Sequence, residues 1–142
     1  MTDIAFHFNV PDRMGYACRL LRKAVAGGHR VWVTASAETL LALDEKLWTF
    51  SATDFVPHCH ADAPAAVSSH SAVILAETSA DALFHDILLN LGAQVPAGFE
   101  AFARVIELVT LDEDDRQQAR VRWKSYAKAG FALTRHDLQA GS

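Results

Sequence analysis

The side chains best suited to binding chemistry lie in one basic segment near the C-terminus, RQQARVRWKSYAK at residues 116–128. It holds five of the thirteen lysine and arginine residues and no acid, in a chain whose net charge is −4. Arg116, Arg120 and Trp123 fall at i, i+4 and i+7, so a helix places them on one stripe, with Lys124 beside it. Cations around an indole suit an acidic peptide tail with an apolar or aromatic group, or the phosphates and bases of a single nucleic-acid strand.

The ends of this segment have the sequence of an ordinary helix. The run DEDD at 112–115 provides an N-cap and negative charge for the first turn, and Lys128 and Gly130 suit the last turn and the C-cap. These rules do not account for Arg116 and Arg120, which lie in the first half. The helix alone leaves two interpretations open: a solvated basic face whose tryptophan packs into the core, or a binding face.

A second candidate surface combines the end of a helical pattern with the segment after it. LDEKLW at 43–48 ends in Trp48, and DFVPH at 54–58 follows with Phe55 and Pro57. The proline keeps this unit extended, and large aromatics with a proline on irregular backbone are a common anchor composition for protein partners. The same residues could instead pack a loop onto the sheet, and composition alone does not decide between the two.

The histidines and cysteines occur in patterns that argue against a catalytic or metal site. His58, Cys59 and His60 are adjacent, so their side chains cannot easily converge on one ion, and no paired ligands occur elsewhere. His85 and Asp86 are also neighbours that do not face one another, and no nucleophile elbow lies near them. We expect a polar loop at 58–60, two free thiols, no catalytic residue, no metal and no cofactor. A small enzyme built on these residues would need a pocket of convergent polar groups.

Length and composition indicate one globular domain. The chain has 142 residues, of which 51% are hydrophobic and 21% charged, which is enough for a real core. The N-terminus lacks a basic region followed by a long apolar stretch, and no apolar run approaches the roughly 20 residues that span a bilayer, so a cytoplasmic protein is expected. Residues 9–15, after the first strand, lack the glycine patterns of dinucleotide and triphosphate sites.

Strand and helix patterns alternate along the chain. Strands are predicted at 4–8, 30–35, 72–76, 86–91 and 104–110. Helices are predicted from residue 12 to 26, over 37–48, over 98–103 and from the acidic run at 112 to Gly130. This order predicts a single α/β domain over 1–142, with a mostly parallel sheet covered by helices on both faces. Residues from about 132 to 142 are expected to form a C-terminal tail.

Three motifs, in this order and spacing, resemble the chi subunit of bacterial DNA polymerase III: LDEKLW, DFVPH and the pattern ARxRWKxYxxAGF at 119–131. The agreement extends along essentially the whole chain. The resemblance implies a Rossmann-like α/β domain without a dinucleotide site. It also implies a non-catalytic accessory subunit of the polymerase III holoenzyme, located at the replisome.

The resemblance implies partners as well. Chi-like proteins bind the acidic C-terminal tail of single-stranded DNA-binding protein, and they pair with the psi subunit, which connects them to the clamp loader. The tail site would consist of Arg116, Arg120, Trp123 and Lys124. The psi interface would include Trp48, Phe55 and Pro57. Contact with DNA would be indirect, and no membrane would be involved. The alternative is that the same helix binds single-stranded nucleic acid directly. A net charge of −4 argues against this alternative.

Three positions depart from the family pattern. Trp123 stands where a tyrosine is expected, which keeps an aromatic wall and removes a hydroxyl. Arg116 stands where a lysine is expected, which keeps the charge and provides a planar guanidinium group with several N–H donors. The loop at 59–64 lacks the glycine expected there.

Overall fold

The computed structural model describes residues 2–49, 57–64, 71–80 and 82–138. The strands within these ranges are β1 (Asp3–Val10), β2 (Val31–Thr34), β3 (His58–His60), β4 (Val73–Ala76), β5 (Ile87–Asn90), β6 (Arg104–Thr110) and β7 (Ala132–Asp137). The α-helices are α1 (Arg13–Ala26), α2 (Ala37–Thr49) and α3 (Glu113–Lys128). Within the described ranges, no helix combines the length and apolar character needed to cross a bilayer.

The seven strands form one sheet in the order β3-β4-β2-β5-β6-β1-β7, and every described pair is parallel. Successive strand residues point to opposite faces, so the sheet separates two cores. Val33 lies in one core with Leu21 of α1 and Leu43 of α2. Its neighbour Trp32 lies in the other core with Tyr126 of α3. The prediction of a parallel sheet with helices on both faces is confirmed.

The structure differs from the predicted elements at both edges of the sheet. The expected polar loop at 58–60 is the edge strand β3, which pairs with the buried β4. The expected tail from 132 forms the opposite edge strand, β7, as far as Asp137. Both strands are short or largely polar, so they lack the apolar alternation that marks a strand in sequence. The helix expected over 98–103 is a single 3₁₀ turn, Phe99–Ala101.

The predicted caps of α3 are present. The Asp112 carboxylate accepts a hydrogen bond from the backbone N–H of Asp115 at 3.1 Å, which satisfies one of the free donors of the first turn. Gly130 has a φ of +88°, the left-handed conformation that glycine adopts most easily after a helix. These caps determine where α3 begins and ends, and therefore which turns lie over the sheet.

A buried polar cluster determines how α3 is rotated about its own axis. Arg122 Nε donates to Glu107 Oε1 of β6 at 3.0 Å, and the Tyr126 hydroxyl donates to Oε2 at 2.7 Å. The Asn90 side-chain amide donates to the same two oxygens at 3.2 and 2.9 Å. Burial raises the pKa of Glu107, while Arg122 and the hydrogen bonds from Asn90 and Tyr126 oppose that rise. The cluster adds polar contacts to the apolar packing of Ala119 and Tyr126 against the sheet.

Candidate functional site

A cavity of about 260 Å³ lies between α3 and the sheet at β1 and β7. Its lining consists of Phe8, Arg116, Ala119, Arg120, Trp123, Lys124 and Arg135. The four residues that the sequence predicted for a binding site all line it. Four of the seven lining side chains are cations and none is an acid, so the electrostatic potential inside the cavity favours an anionic group.

Trp123 is half-buried and forms one wall of this cavity. Its ring centroid lies 5.1 Å from that of Phe6 in an edge-to-face contact and 6.2 Å from that of Phe8. The helix pattern left open whether Trp123 packs into the core or belongs to a binding face. Both hold, because one part of the indole packs on the core and another part faces the cavity. An indole held in this way offers apolar surface to a ligand with little rotamer entropy left to lose.

Three lining residues were not predicted from the sequence: Ala119, Phe8 and Arg135. The Arg135 guanidinium carbon lies 4.6 Å from the Phe8 ring centroid and 5.9 Å from the Trp123 ring centroid. Phe8 could have been found, since Ile4, Phe6 and Phe8 alternate along β1 and so share a face. Arg135 carried no such signal, because its strand was expected to be a tail.

The positive charge of the segment 116–128 is distributed differently from what its sequence suggests. Arg122 is 3% exposed and is engaged with Glu107. Arg120 Nη1 lies 3.6 Å from Glu113 Oε1, but both side chains are more than half exposed. Such a pair contributes little stability, so a ligand carboxylate can displace Glu113 at small cost. The charge offered to a ligand comes from Arg116, Arg120, Lys124 and Arg135.

The second predicted surface lies at the opposite edge of the sheet. Trp48 is 60% exposed, and its ring centroid lies 5.1 Å from that of His58. Pro57 is half-buried. Phe55 lies outside the described residues, so its predicted part in this surface stays a prediction.

The histidines of β3 are held by a carboxylate of α2. His58 Nε2 lies 2.8 Å from Asp44 Oδ1, and His60 Nε2 lies 3.4 Å from Asp44 Oδ2. In the part of the chain that the structure describes, no group of three or more metal-ligating side chains occurs. Cys18 and Cys59 are both free thiols, as predicted. The Asp44 contacts attach β3 to α2 and thereby position the helix end that carries Trp48.

His7 lies in β1 on the face opposite the cavity, and protonating it should destabilise the fold. Burial first, and then His136, lowers the pKa of His7 from 6.5 to about 4. The unfolded chain therefore takes up this proton near pH 6.5 and the folded chain only near pH 4, so the stability present above pH 6.5 declines between the two. We expect a loss of at most about 3 kcal/mol, less after solvent screening. Urea unfolding of His7→Asn at pH 7 and 4.5 should show a smaller pH dependence; an unchanged dependence would contradict this assignment.

Comparisons with known proteins give a consistent result. The family model described as DNA polymerase III chi subunit, HolC matches residues 1–134. A protein of Pseudomonas aeruginosa named DNA polymerase III subunit chi is 33% identical over 127 residues, which cover 89% of this chain and 87% of that protein. Proteins of the same name from Haemophilus influenzae and Escherichia coli are 27% and 29% identical, over 86% and 82% of this chain and 85% and 79% of their own lengths.

Proposed function

The chain belongs to the DNA polymerase III chi subunit family, a family of replication accessory subunits, and from this we propose that it is a non-catalytic adaptor that recognises the acidic C-terminal tail of single-stranded DNA-binding protein. The observation that carries the proposal is the cavity beside α3, where four cations surround a wall formed by Trp123 and Phe8. An acidic tail that ends in an apolar or aromatic residue matches both properties of this cavity.

Ion pairs and apolar contacts would contribute differently to binding of the tail. An exposed ion pair contributes at most about 1 kcal/mol, whereas burying a large apolar side chain contributes about 1.5–3 kcal/mol. The last side chain of the tail, packed against Trp123, would therefore supply most of the affinity. Arg116, Arg120, Lys124 and Arg135 would attract the acids and hold the terminal carboxylate, for which planar guanidinium groups are well suited.

We also propose that the surface around Trp48 and Pro57 binds the psi subunit and, through it, the clamp loader. The support is the exposed indole of Trp48 beside His58, an aromatic anchor of the kind that dominates protein interfaces. This surface adjoins β3, and the cavity adjoins β7, which are the two edge strands of the sheet. An adaptor with this arrangement can hold both partners at once.

The affinity for a synthetic acidic peptide that ends in phenylalanine should fall as salt is added. Raising the ionic strength from about 0.1 M to about 1 M shortens the screening length from about 10 Å to about 3 Å, and the four lining cations are the source of the attraction. Calorimetric titration at several salt concentrations measures this. A peptide of the same charge whose phenylalanine is moved to the middle should bind weakly at every concentration, and equal binding of the two peptides would contradict the proposal.

A single-stranded oligonucleotide in the same titration tests the alternative of direct nucleic-acid binding. The cavity beside α3, of about 260 Å³, is lined by two aromatic side chains, Phe8 and Trp123, which are too few for the successive bases of a strand to stack on. The exposed acids at 112–114 also adjoin the basic face. We expect the oligonucleotide to bind much more weakly than the peptide, and the reverse order would favour the alternative.

A further inference from the structure

β7 is an edge strand with exposed side chains. Among the described residues it pairs with β1 on one side, and no strand pairs with its other side. Ala132, Thr134, Arg135 and His136 are all exposed. An open strand edge is a template for an added strand, and proteins commonly protect such edges.

One face of this edge adjoins the cavity. Parallel pairing places Leu133 beside Ile4 and Arg135 beside Phe6, so these two β7 side chains point toward α3. Arg135 is itself part of the cavity lining. A side chain of an added strand that points the same way would lie next to the cations of α3.

The other face of the edge adjoins a second cationic surface. Thr134 and His136 point toward α1 and line a groove of about 760 Å³, which also contains Lys23, Arg104 and the imidazoles of His7 and His29. Asp3 is the one acid in this lining. Lys23 and Arg104 form no ion pair within the described residues. The strand edge therefore lies between two surfaces that both favour acidic side chains.

We propose that β7 accepts an extended acidic peptide as an eighth strand of the sheet. The inference rests on the proposed function, and the occupant is the tail of single-stranded DNA-binding protein upstream of its last residue. Side chains of a strand alternate, so successive acids of the tail would face the α3 cavity and the α1 groove in turn. Backbone hydrogen bonds to β7 would supply affinity that does not depend on the identity of each acid.

Charge favours this occupant over a second copy of the chain. Two β7 edges side by side would bring Arg135 of one copy next to the cationic surfaces of the other, and like charges in opposition destabilise a strand pair. An acidic strand reverses the sign of that interaction on both faces of the sheet.

A set of tail peptides, each N-methylated at one backbone amide, tests the added strand. In a strand, alternate amides point toward the neighbouring strand, so methylation should weaken binding about three- to tenfold at every second position and leave the others unchanged. Titration of each peptide against the intact chain gives this pattern directly. Equal losses at all positions, or no losses, would overturn the added strand.

Lys23→Ala provides an independent readout, because Lys23 lies in the α1 groove and not in the α3 cavity. It should weaken binding of a tail peptide with several acids about two- to fivefold, and leave binding of a peptide of only the last three residues unchanged. Lys128→Ala, on α3 but outside the cavity lining, is the matched control. If the unmodified peptide does not bind at all, the proposed function fails. If it binds without periodic losses and without an effect of Lys23→Ala, only the added strand fails.

Discussion

Glu107→Ala should destabilise the protein by about 3–5 kcal/mol, because it removes one partner of a buried ion pair and leaves the other charge unpaired. Glu107 and Arg122 are 0% and 3% exposed, and their contact is 3.0 Å long. The same substitution removes the acceptor for the Tyr126 hydroxyl and leaves the Asn90 amide with only the Gln94 carbonyl oxygen as acceptor. Chemical denaturation followed by circular dichroism measures the loss as a shift of the unfolding midpoint.

Two variants control this experiment. Glu100→Ala removes an exposed carboxylate and should change the free energy of unfolding by less than about 0.5 kcal/mol. The double variant Glu107→Leu with Arg122→Met should recover part of the stability, since apolar residues of similar size can replace a buried ion pair, but the Tyr126 hydroxyl still lacks its acceptor. A loss below about 1 kcal/mol for Glu107→Ala would show that α3 is held mainly by other contacts.

The burial of Arg122 in this cluster could not be predicted from the sequence of the basic segment. Arg122 looks like one more surface cation between Arg120 and Lys124, and its burial depends on Glu107, fifteen positions earlier on another element. A signal was present, because Glu107 interrupts the apolar run at residues 105–109 of the strand RVIELVT, and a buried acid needs a partner. This pattern shows that Glu107 needs a buried partner, but it does not show which residue that partner is.

The candidate site was predictable to the extent that it lies on one helix. Arg116, Arg120 and Trp123 share a face through helical periodicity alone, and the structure places them around one cavity. Phe8 shares a face of β1 with Ile4 and Phe6 through alternation, but the position of Arg135 beside it depends on how β7 pairs with β1, which the sequence does not reveal.

The central strands of the sheet are recognisable in the sequence, and the edge strands are not. The central strands contain continuous apolar runs, such as Val73–Ala76 and the first three residues of Ile87–Asn90, which indicate a parallel sheet buried on both faces. The edge strands β3 and β7 carry polar side chains because one of their sides is open. They were therefore expected to be a loop and a tail, although they border both proposed binding surfaces.

Trp123→Ala should weaken binding of the acidic, phenylalanine-terminated peptide by about 30-fold or more, the effect of losing an interface anchor worth about 2 kcal/mol. Arg120→Ala should have a smaller effect, up to about fivefold, because its side chain is more than half exposed. Trp123 also contacts Phe6, so Trp123→Tyr serves as the variant that keeps the aromatic wall and should bind within a few-fold of the unchanged chain. Lys128→Ala should bind as the unchanged chain does.

The most direct measurement extends this comparison to the intact partner. The chain and its Trp123→Ala variant would each be titrated with full-length single-stranded DNA-binding protein and with the same protein lacking only its C-terminal tail. Our account predicts that the unchanged chain binds the full-length partner, that deletion of the tail abolishes this binding, and that Trp123→Ala weakens it by about 30-fold or more. Equal binding to the full-length and tail-less proteins, unaffected by Trp123→Ala, would contradict the assignment of the cavity beside α3 as the tail-binding site.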